Sequence, residues 1–397
     1  MRRVVLTGAG TVNPLGRDMP ATFAALAAGL GSIGPLMTQD LDRLSVRIGA
    51  AISGFDPLAH LTPARAAQLD RFAQLAVVSA RQAIADAGLS PGTWQHQAGA
   101  ILGTAGGGFA TQDAAYRAVY QDGKTRVPPL TVPKLMGNAA ASAVAMDQGL
   151  FGPSFAVSSA CASSNHAIAL AVQMIRAGAA PVMLAGGAEA MLSFSGIKAW
   201  EALRVLSETG CRPFAPDRDG MVMGEGAGVF VLEDRAHALA RGAHVRAEVL
   251  GVSMGADAED LVQPSSAGAA RAIRAALADA GLVPADIDLV KAHGTGTVAN
   301  DRAEAQALHV VFGGSPPPVT APKALHGHLI GAAGAVEVVT CLLALEQGVV
   351  AAVPGPADPG LGLDLVYGKA RPLAVRACLS NAFAFGGLNA VLVLARG

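Results

Sequence analysis

Aromatic residues are scarce in this chain of 397 residues, with 2 Trp, 3 Tyr and 12 Phe, and only 15% of the residues are charged. The formal net charge is −1. Without a basic excess or a cluster of aromatic and basic residues, there is no electrostatic footing for a polyanion, and nucleic acid is not an expected partner. Cysteine is sparse too: Cys161, Cys211, Cys341 and Cys378 lie far apart and never in CxxC spacing. That excludes a disulfide framework and a zinc knuckle, and it fits a reducing cytoplasm. The start, MRRVVLTGAGTVNPLG, holds two arginines but only Val4 to Leu6 as an apolar run, too short for the core of a signal peptide. No apolar run reaches the length of about eighteen residues that a spanning helix needs. Val338 to Leu345 stops at Glu346, so membrane insertion is not expected.

What the chain does have is interior material: 52% apolar residues and 48 glycines, enough for one large or two ordinary domains with buried cores. Short apolar runs alternate with helical patterns of ten to twenty residues, which predicts an α/β fold with a mainly parallel sheet. Arg3 to Leu6 reads as a strand entering a glycine turn. Helices are expected over Thr62 to Gly88, where Gly88 and Pro91 give a stop, and over Val132 to Gly149. Two stretches begin alike, Val4 to Gly10 and Ala247 to Gly255, and each later presents a reactive residue, Cys161 or His328, at the mouth of an apolar helix. The pattern suggests a duplicated α/β unit, with halves at residues 1–242 and 243–397.

Two glycine motifs imitate nucleotide sites. In TGAGTVNPLG the third glycine is displaced and Pro14 blocks a helix, so a dinucleotide fingerprint is not indicated. In GTAGGGFA the lysine and hydroxyl of a phosphate loop are missing. No cofactor is expected.

Reactive residues gather in four segments. Ala156 to Gly178, AVSSACASSNHAIALAVQMIRAG, places Cys161 where a strand turns into a helix. Unpaired N–H groups and the helix dipole favour a thiolate there, making the sulfur a better nucleophile. KAHGTGTVANDRAE places His293 just past a strand, APKALHGHLIGAAGAVE places Lys323 and His328 in a loop before a small-residue helix, and SNAFAFGGLN places Phe385 beside Gly386 and Gly387. A cysteine with two histidines suits acyl transfer, in which the sulfur carries the acyl group and imidazoles donate to an oxygen that becomes negative. A cysteine protease would leave the second histidine without a task. Zinc at His326 and His328 lacks a third ligand at matching spacing, and no metal is expected.

Six stretches in order carry a resemblance that covers nearly the whole chain: RRVVLTGAGTVNPLG, SSACASSNHAI, RPFAPDRDGMVMGEGAGVFVLE, AHGTGTVANDRAEAQAL, KALHGHLIGAAGAVE and SNAFAFGGLNA. The sequence resembles the elongating β-ketoacyl-acyl-carrier-protein synthases of the Cys-His-His type, in the thiolase superfamily. The resemblance implies a duplicated five-layer αβαβα fold. It also implies decarboxylative Claisen condensation on thioesters of acyl carrier protein, and a homodimer or a heterodimer with a chain-length-factor-like subunit. Cys161 is then acylated, its N–H and that of Phe385 form the oxyanion hole, and His293 and His328 hold the malonyl thioester. Lys323 orients the histidines through a carboxylate, for which Glu304 and Glu337 both fit. Thr295 and Thr297 bind the pantetheine arm, Gly106 and Trp200 bind substrate, and Phe385 is a gate freed by Gly386 and Gly387. His166 is expected as a core residue, while His237, His244 and His309 receive no role.

Departures from the family pattern bear on substrate. Gly106 stands where relatives often carry a bulky cap on the acyl tunnel, His326 and Leu388 replace threonines, and the basic residues expected to meet the carrier protein thin to Arg65 and Arg71. These favour a polyketide or polyene ketosynthase over a fatty-acid enzyme. The alternatives are a non-catalytic chain-length subunit, which would lack the cysteine present here, and a coenzyme A thiolase, whose second cysteine is missing from the late glycine loop because Cys378 lies earlier, in a strand.

Overall fold

Residues 2–397 are described by a computed structural model. Ten strands make one sheet: β1 (Val4–Val12), β2 (Gly99–Gly103), β3 (Ser154–Val157), β4 (Val182–Glu189), β5 (Gly226–Asp234), β6 (Ala247–Ala256), β7 (Leu289–Lys291), β8 (Val319–Thr320), β9 (Ala377–Ala384) and β10 (Leu388–Arg396). From the centre outward the order is β1-β5-β4-β2-β3 on one side and β6-β10-β9-β7-β8 on the other. These are the same path walked twice. The senses repeat as well: two antiparallel pairs and then two parallel pairs on each side, with β1 and β6 joined antiparallel. The sheet is therefore mixed rather than mainly parallel. The reason is local, since a link as short as Phe385–Gly387 can join β9 to β10 only as antiparallel neighbours.

Helices Ser163–Arg176 and Ala333–Gln347 lie between the two halves. One apolar core holds Ile168 and Val172 of the first helix, Val338 and Leu342 of the second, Ile101 and Phe230 of the first half, and Leu289 and Leu392 of the second. Burial of each such aliphatic side chain contributes about 1.5–3 kcal/mol. Helices Arg71–Asp86 and Ala139–Gln148 cover the outer face of the first half, and Ser266–Ala280 and Val298–Phe312 that of the second. The result is the expected five layers, αβαβα.

The helical run Ile330–Gln347 has the length and composition of a membrane span, which the reading of Val338 to Leu345 alone misses. It is 89% buried inside the fold and carries Glu337, and it serves as the inner helix of a layered core.

Several local expectations change. The glycines of TGAG make no turn, because β1 runs on through them to Val12. A methyl on Gly10 would overlap the Ser79 carbonyl, and one on Gly8 the Ala83 carbonyl, so the motif exists to seat helix Arg71–Asp86 against the strand. The helix expected over Thr62 to Gly88 is two, Pro63–Gln68 and Arg71–Asp86, because Asp70 caps the second through the N–H of Phe72 at 3.3 Å. The one expected over Val132 to Gly149 likewise breaks into Thr131–Leu135 and Ala139–Gln148.

Replacing Gly10 with Ala is expected to lower the unfolding free energy by about 1–3 kcal/mol. In a denaturant titration Gly355→Ala, where an added methyl meets nothing within 4 Å, serves as the unchanged control.

Candidate active site

The first inner helix starts with a tight turn, Ala160–Ala162, and Ala160 holds φ at 48°, a left-handed angle that costs a non-glycine residue energy. The strain turns Cys161 out of the strand direction and into the head of helix Ser163–Arg176. The second half repeats the device. Ile330 also holds φ at 48°, the turn Ile330–Ala332 precedes helix Ala333–Gln347, and Gly331 stands where the first half has Cys161.

Loops from the second half bring both histidines to the sulfur. Ligating atoms of Cys161, His293 and His328 all lie within 4.8 Å of one another, and the two imidazole rings meet edge to face at 5.5 Å. Cys161 is 5% exposed, His293 2% and His328 0%. The N–H of Ile330 donates to Nδ1 of His328 at 3.0 Å, and Lys323 Nζ donates to Nδ1 of His293 at 3.2 Å. Each ring therefore carries its own hydrogen on Nε2, and Nε2 of His328 is buried with no partner in the protein. Burial, reinforced by Lys323, holds both imidazoles well below their ordinary value, so both are neutral.

That protonation pattern decides between a metal and an oxygen ligand. The pair His326 and His328 is not a chelate, because Nδ1 of His326 faces the carbonyl of Gly327 at 2.7 Å and burial pushes its ring down to about 4. The trio that does converge offers two N–H donors and a thiol, a set matched to a developing oxyanion and not to a cation. Burial also pushes the Cys161 thiol up to about 12, with Lys323 pulling the other way. Burial thus opposes the thiolate expected from the helix start.

Beneath the trio lies a buried ionic network. Lys323 donates to Nδ1 and to the carbonyl of His293 and to Oε1 of Glu337, so each ammonium hydrogen has an acceptor. The carboxylate left open by the sequence is Glu337. Its other oxygen takes a second lysine, Lys291, at 2.6 Å, and Lys291 also donates to the carbonyl of Asn381 at 2.6 Å. Burial alone would raise the Glu337 carboxyl, but Lys291 and Lys323 together hold it below the usual range. Glu304 does different work, accepting the N–H groups of His293 and Gly294 at 2.8 Å each and Nδ2 of Asn381 at 3.1 Å. It fixes the backbone that carries His293.

Sequence reasoning passed over Lys291 and Asn381. The available signal was a lysine at the end of an apolar strand, Leu289–Lys291, which has to be paired if it is buried.

A cleft of about 230 Å³ reaches the sulfur. Cys161, Trp200, His293, Thr295, Thr297, Glu304, His328, Phe385 and Gly387 all line it. Thr295 and Thr297 share a hydrogen bond at 2.9 Å along one wall, and Trp200 stacks on Phe385 at 5.9 Å. Gly386 sits exposed on the loop between β9 and β10, with φ at 79°. That loop is tied to the facing segment by Gly386 N to Leu261 O at 2.7 Å and Asp257 N to Gly387 O at 2.9 Å, and Asn389 Nδ2 donates to Asp257 at 2.6 Å. Gly106 is not on the cleft; a methyl there would meet Met191 Sδ at 2.9 Å. Arg71 is engaged within the fold. It makes a two-pronged ion pair with the nearly buried Glu225, both contacts at 2.7 Å, while Arg65 donates to the Ala143 carbonyl at 3.3 Å.

Replacing Lys291 with Met is expected to cost about 3–5 kcal/mol of unfolding free energy in denaturant titrations, since it leaves Glu337 buried with one cation fewer. Replacing Arg2, half-exposed beside Asp234, is expected to cost no more than about 1 kcal/mol.

Residues 1–238 match the family described as Beta-ketoacyl synthase, N-terminal domain, and residues 246–355 match its C-terminal domain. The chain is 47% identical over 396 residues to Nodulation protein E of Rhizobium sp. (strain N33), covering 98% of each. It is 36% identical over 404 residues to 3-oxoacyl-[acyl-carrier-protein] synthase 2 of Staphylococcus aureus (strain COL), covering 99% of this chain and 98% of that one. Among solved structures, the ishigamide ketosynthase/chain length factor superimposes with a TM-score of 0.95 at 34% identity, over 100% of this chain and 99% of that one.

Proposed function

The chain belongs to the β-ketoacyl synthase family of condensing acyltransferases, and on that premise we propose how its residues divide the reaction. The sulfur of Cys161 attacks the carbonyl of an acyl thioester carried by acyl carrier protein, forming a new thioester and releasing the carrier thiol, which takes up the proton. N–H groups of Cys161 and Phe385 hold the oxyanion. Malonyl carrier protein then enters, its pantetheine arm along Thr295 and Thr297. Nε2–H of His293 and of His328 donate to the malonyl thioester oxygen, the carboxylate departs as carbon dioxide, and the electron pair is held as an enolate. The enolate carbon attacks the acyl carbon on Cys161 and the carbon–sulfur bond breaks, giving 3-oxoacyl carrier protein and the Cys161 thiolate, which takes a proton from solvent in the cleft to restore the thiol. The observation that carries this is the convergence of one thiol with two neutral imidazoles whose Nε2–H groups point at the same space.

Among substrates we favour a polyketide or polyene chain over a saturated fatty acyl chain. Flat rings, Trp200, Phe109 and Phe194, belong to the apolar cluster continuous with the cleft. The named relatives include both a 3-oxoacyl synthase and a ketosynthase/chain length factor. A second subunit of this fold, identical or chain-length-factor-like, is supported by exposed Phe151 and Phe155 around the edge strand β3. Four free, buried cysteines support a reducing cytoplasm as the setting.

Intact mass after exposure to acyl carrier proteins tests the assignment: the expected adduct is one acyl group on Cys161, and labelling of Cys211, Cys341 or Cys378 instead would overturn it. Cys161→Gln is expected to reduce condensation by at least about a thousandfold, the scale of losing a nucleophile. Malonyl decarboxylation should survive, because it rests on the histidines. Better turnover of saturated than of polyunsaturated primers would count against the polyene reading.

A pH profile adds a second check. A group whose value lies well below the ordinary 6.5 of histidine stays neutral as pH falls through that value. Decarboxylation by Cys161→Gln is therefore expected to remain level between about pH 7.5 and about pH 6, and a drop centred near the ordinary histidine value would show that an imidazole is ionising.

A further inference from the structure

The repeated elbow in the second half has no nucleophile, yet its N–H is occupied. Gly331 N donates at 3.1 Å to Glu189, the last residue of β4. In the doubled strand path β4 corresponds to β9, so Glu189 corresponds to Ala384, which stands next to Phe385 at the working elbow. The carboxylate thus fills, in the second half, the hole that the first half keeps open for a reacting oxygen.

Three further donors reach the same group: Ala105 N at 2.7 Å, Thr104 Oγ1 at 3.1 Å and Gly106 N at 3.2 Å. All four partners are donors, so the side chain acts purely as an acceptor, the role of a carboxylate. It is 0% exposed, and burial pushes its carboxyl up to about 7 against the pull of those donors.

The two backbone segments it joins are both next to the chemistry. Ala105 and Ile330 pack in one apolar cluster with Trp200, Val205 and Met221, and those three also line the cleft. Ile330 is in addition the residue whose N–H sets the tautomer of His328.

We infer that Glu189 is a positioning residue for the acyl chain, tying the loop from Thr104 to Gly108 to the elbow at Ile330 so that one carboxylate holds both the packing behind the Trp200, Val205 and Met221 wall of the cleft and the donor on His328. The inference rests on reading Cys161 as the acylated nucleophile. Chain length is what it controls: a short acyl group ends before the Trp200, Val205 and Met221 wall, while a long one needs the packing of Ala105 and Ile330 behind that wall in place.

Glu189→Gln keeps the size but turns an NH2 toward backbone donors. In the full-length enzyme, kcat/KM for acylation of Cys161 by dodecanoyl carrier protein is expected to fall about tenfold or more through KM, with butyryl transfer changed less than about threefold. Thr104→Val removes one of the four donors with little change of volume. It provides the same ratio, with a smaller shift in the same direction, should Glu189→Gln not fold. An unchanged ratio of long to short primers in a folded variant, or an equal loss for both, would overturn the inference and mark Glu189 as a structural residue only. Failure of the unsubstituted protein to acylate Cys161 with either of these primers and with a polyunsaturated acyl carrier protein would instead overturn the reading of the site.

Discussion

Glu337 and its two lysines are the constraint around which the site is arranged. A carboxylate in the middle of a buried helix is tolerable only if both oxygens meet cations, and Lys291 and Lys323 meet one each. Each cation is in turn tied to a different piece of the site. Lys323 holds the ring and carbonyl of His293, while Lys291 holds the carbonyl of Asn381 on β9, whose side chain reaches Glu304. Removing any member leaves a fully buried charge with one partner fewer. Rigidity at the histidines is therefore a by-product of an electrostatic debt owed deep in the fold.

The layered architecture makes that network possible. The two inner helices are sandwiched between sheet halves, so their heads sit where loops from both halves converge. Close contact is needed there: a methyl on Gly334 would overlap Asn165 Oδ1, and Asn165 donates to the carbonyls of Ser380 and Ala390 at 3.0 and 3.2 Å. Helix, opposing helix and sheet are stitched together at Asn165, about one helical turn past Cys161.

Residue chemistry revealed the trio because Cys161, His293 and His328 are reactive types at loop positions, and no other role absorbs all three. It did not reveal Lys291, since a lysine ending an apolar strand looks the same whether it is exposed or paired. Nor could it tell a glycine that makes a turn from one that admits a helix: Gly8 and Gly10 have the spacing of the first and do the work of the second. Arg71 is a related case. Only the fold shows Glu225 opposite it, and a positive charge on a helix surface reads as available until its partner is seen. The doubled strand order, by contrast, survives where sequence likeness between the halves has faded, because backbone path and register tolerate side-chain change.

Burial acts on the reactive groups in opposite senses, and the balance explains why the site can be closed and still work. The same dry surroundings that keep both imidazoles neutral, and so able to donate, raise the thiol. A permanently ionised sulfur would need a cation at its side, and Lys323 is already committed to three acceptors. On the proposed division of roles, a buried thiol gives up its proton as an acyl thioester accepts the electron pair and the departing carrier thiolate accepts the proton, so that loss of the proton and formation of the bond belong to one step.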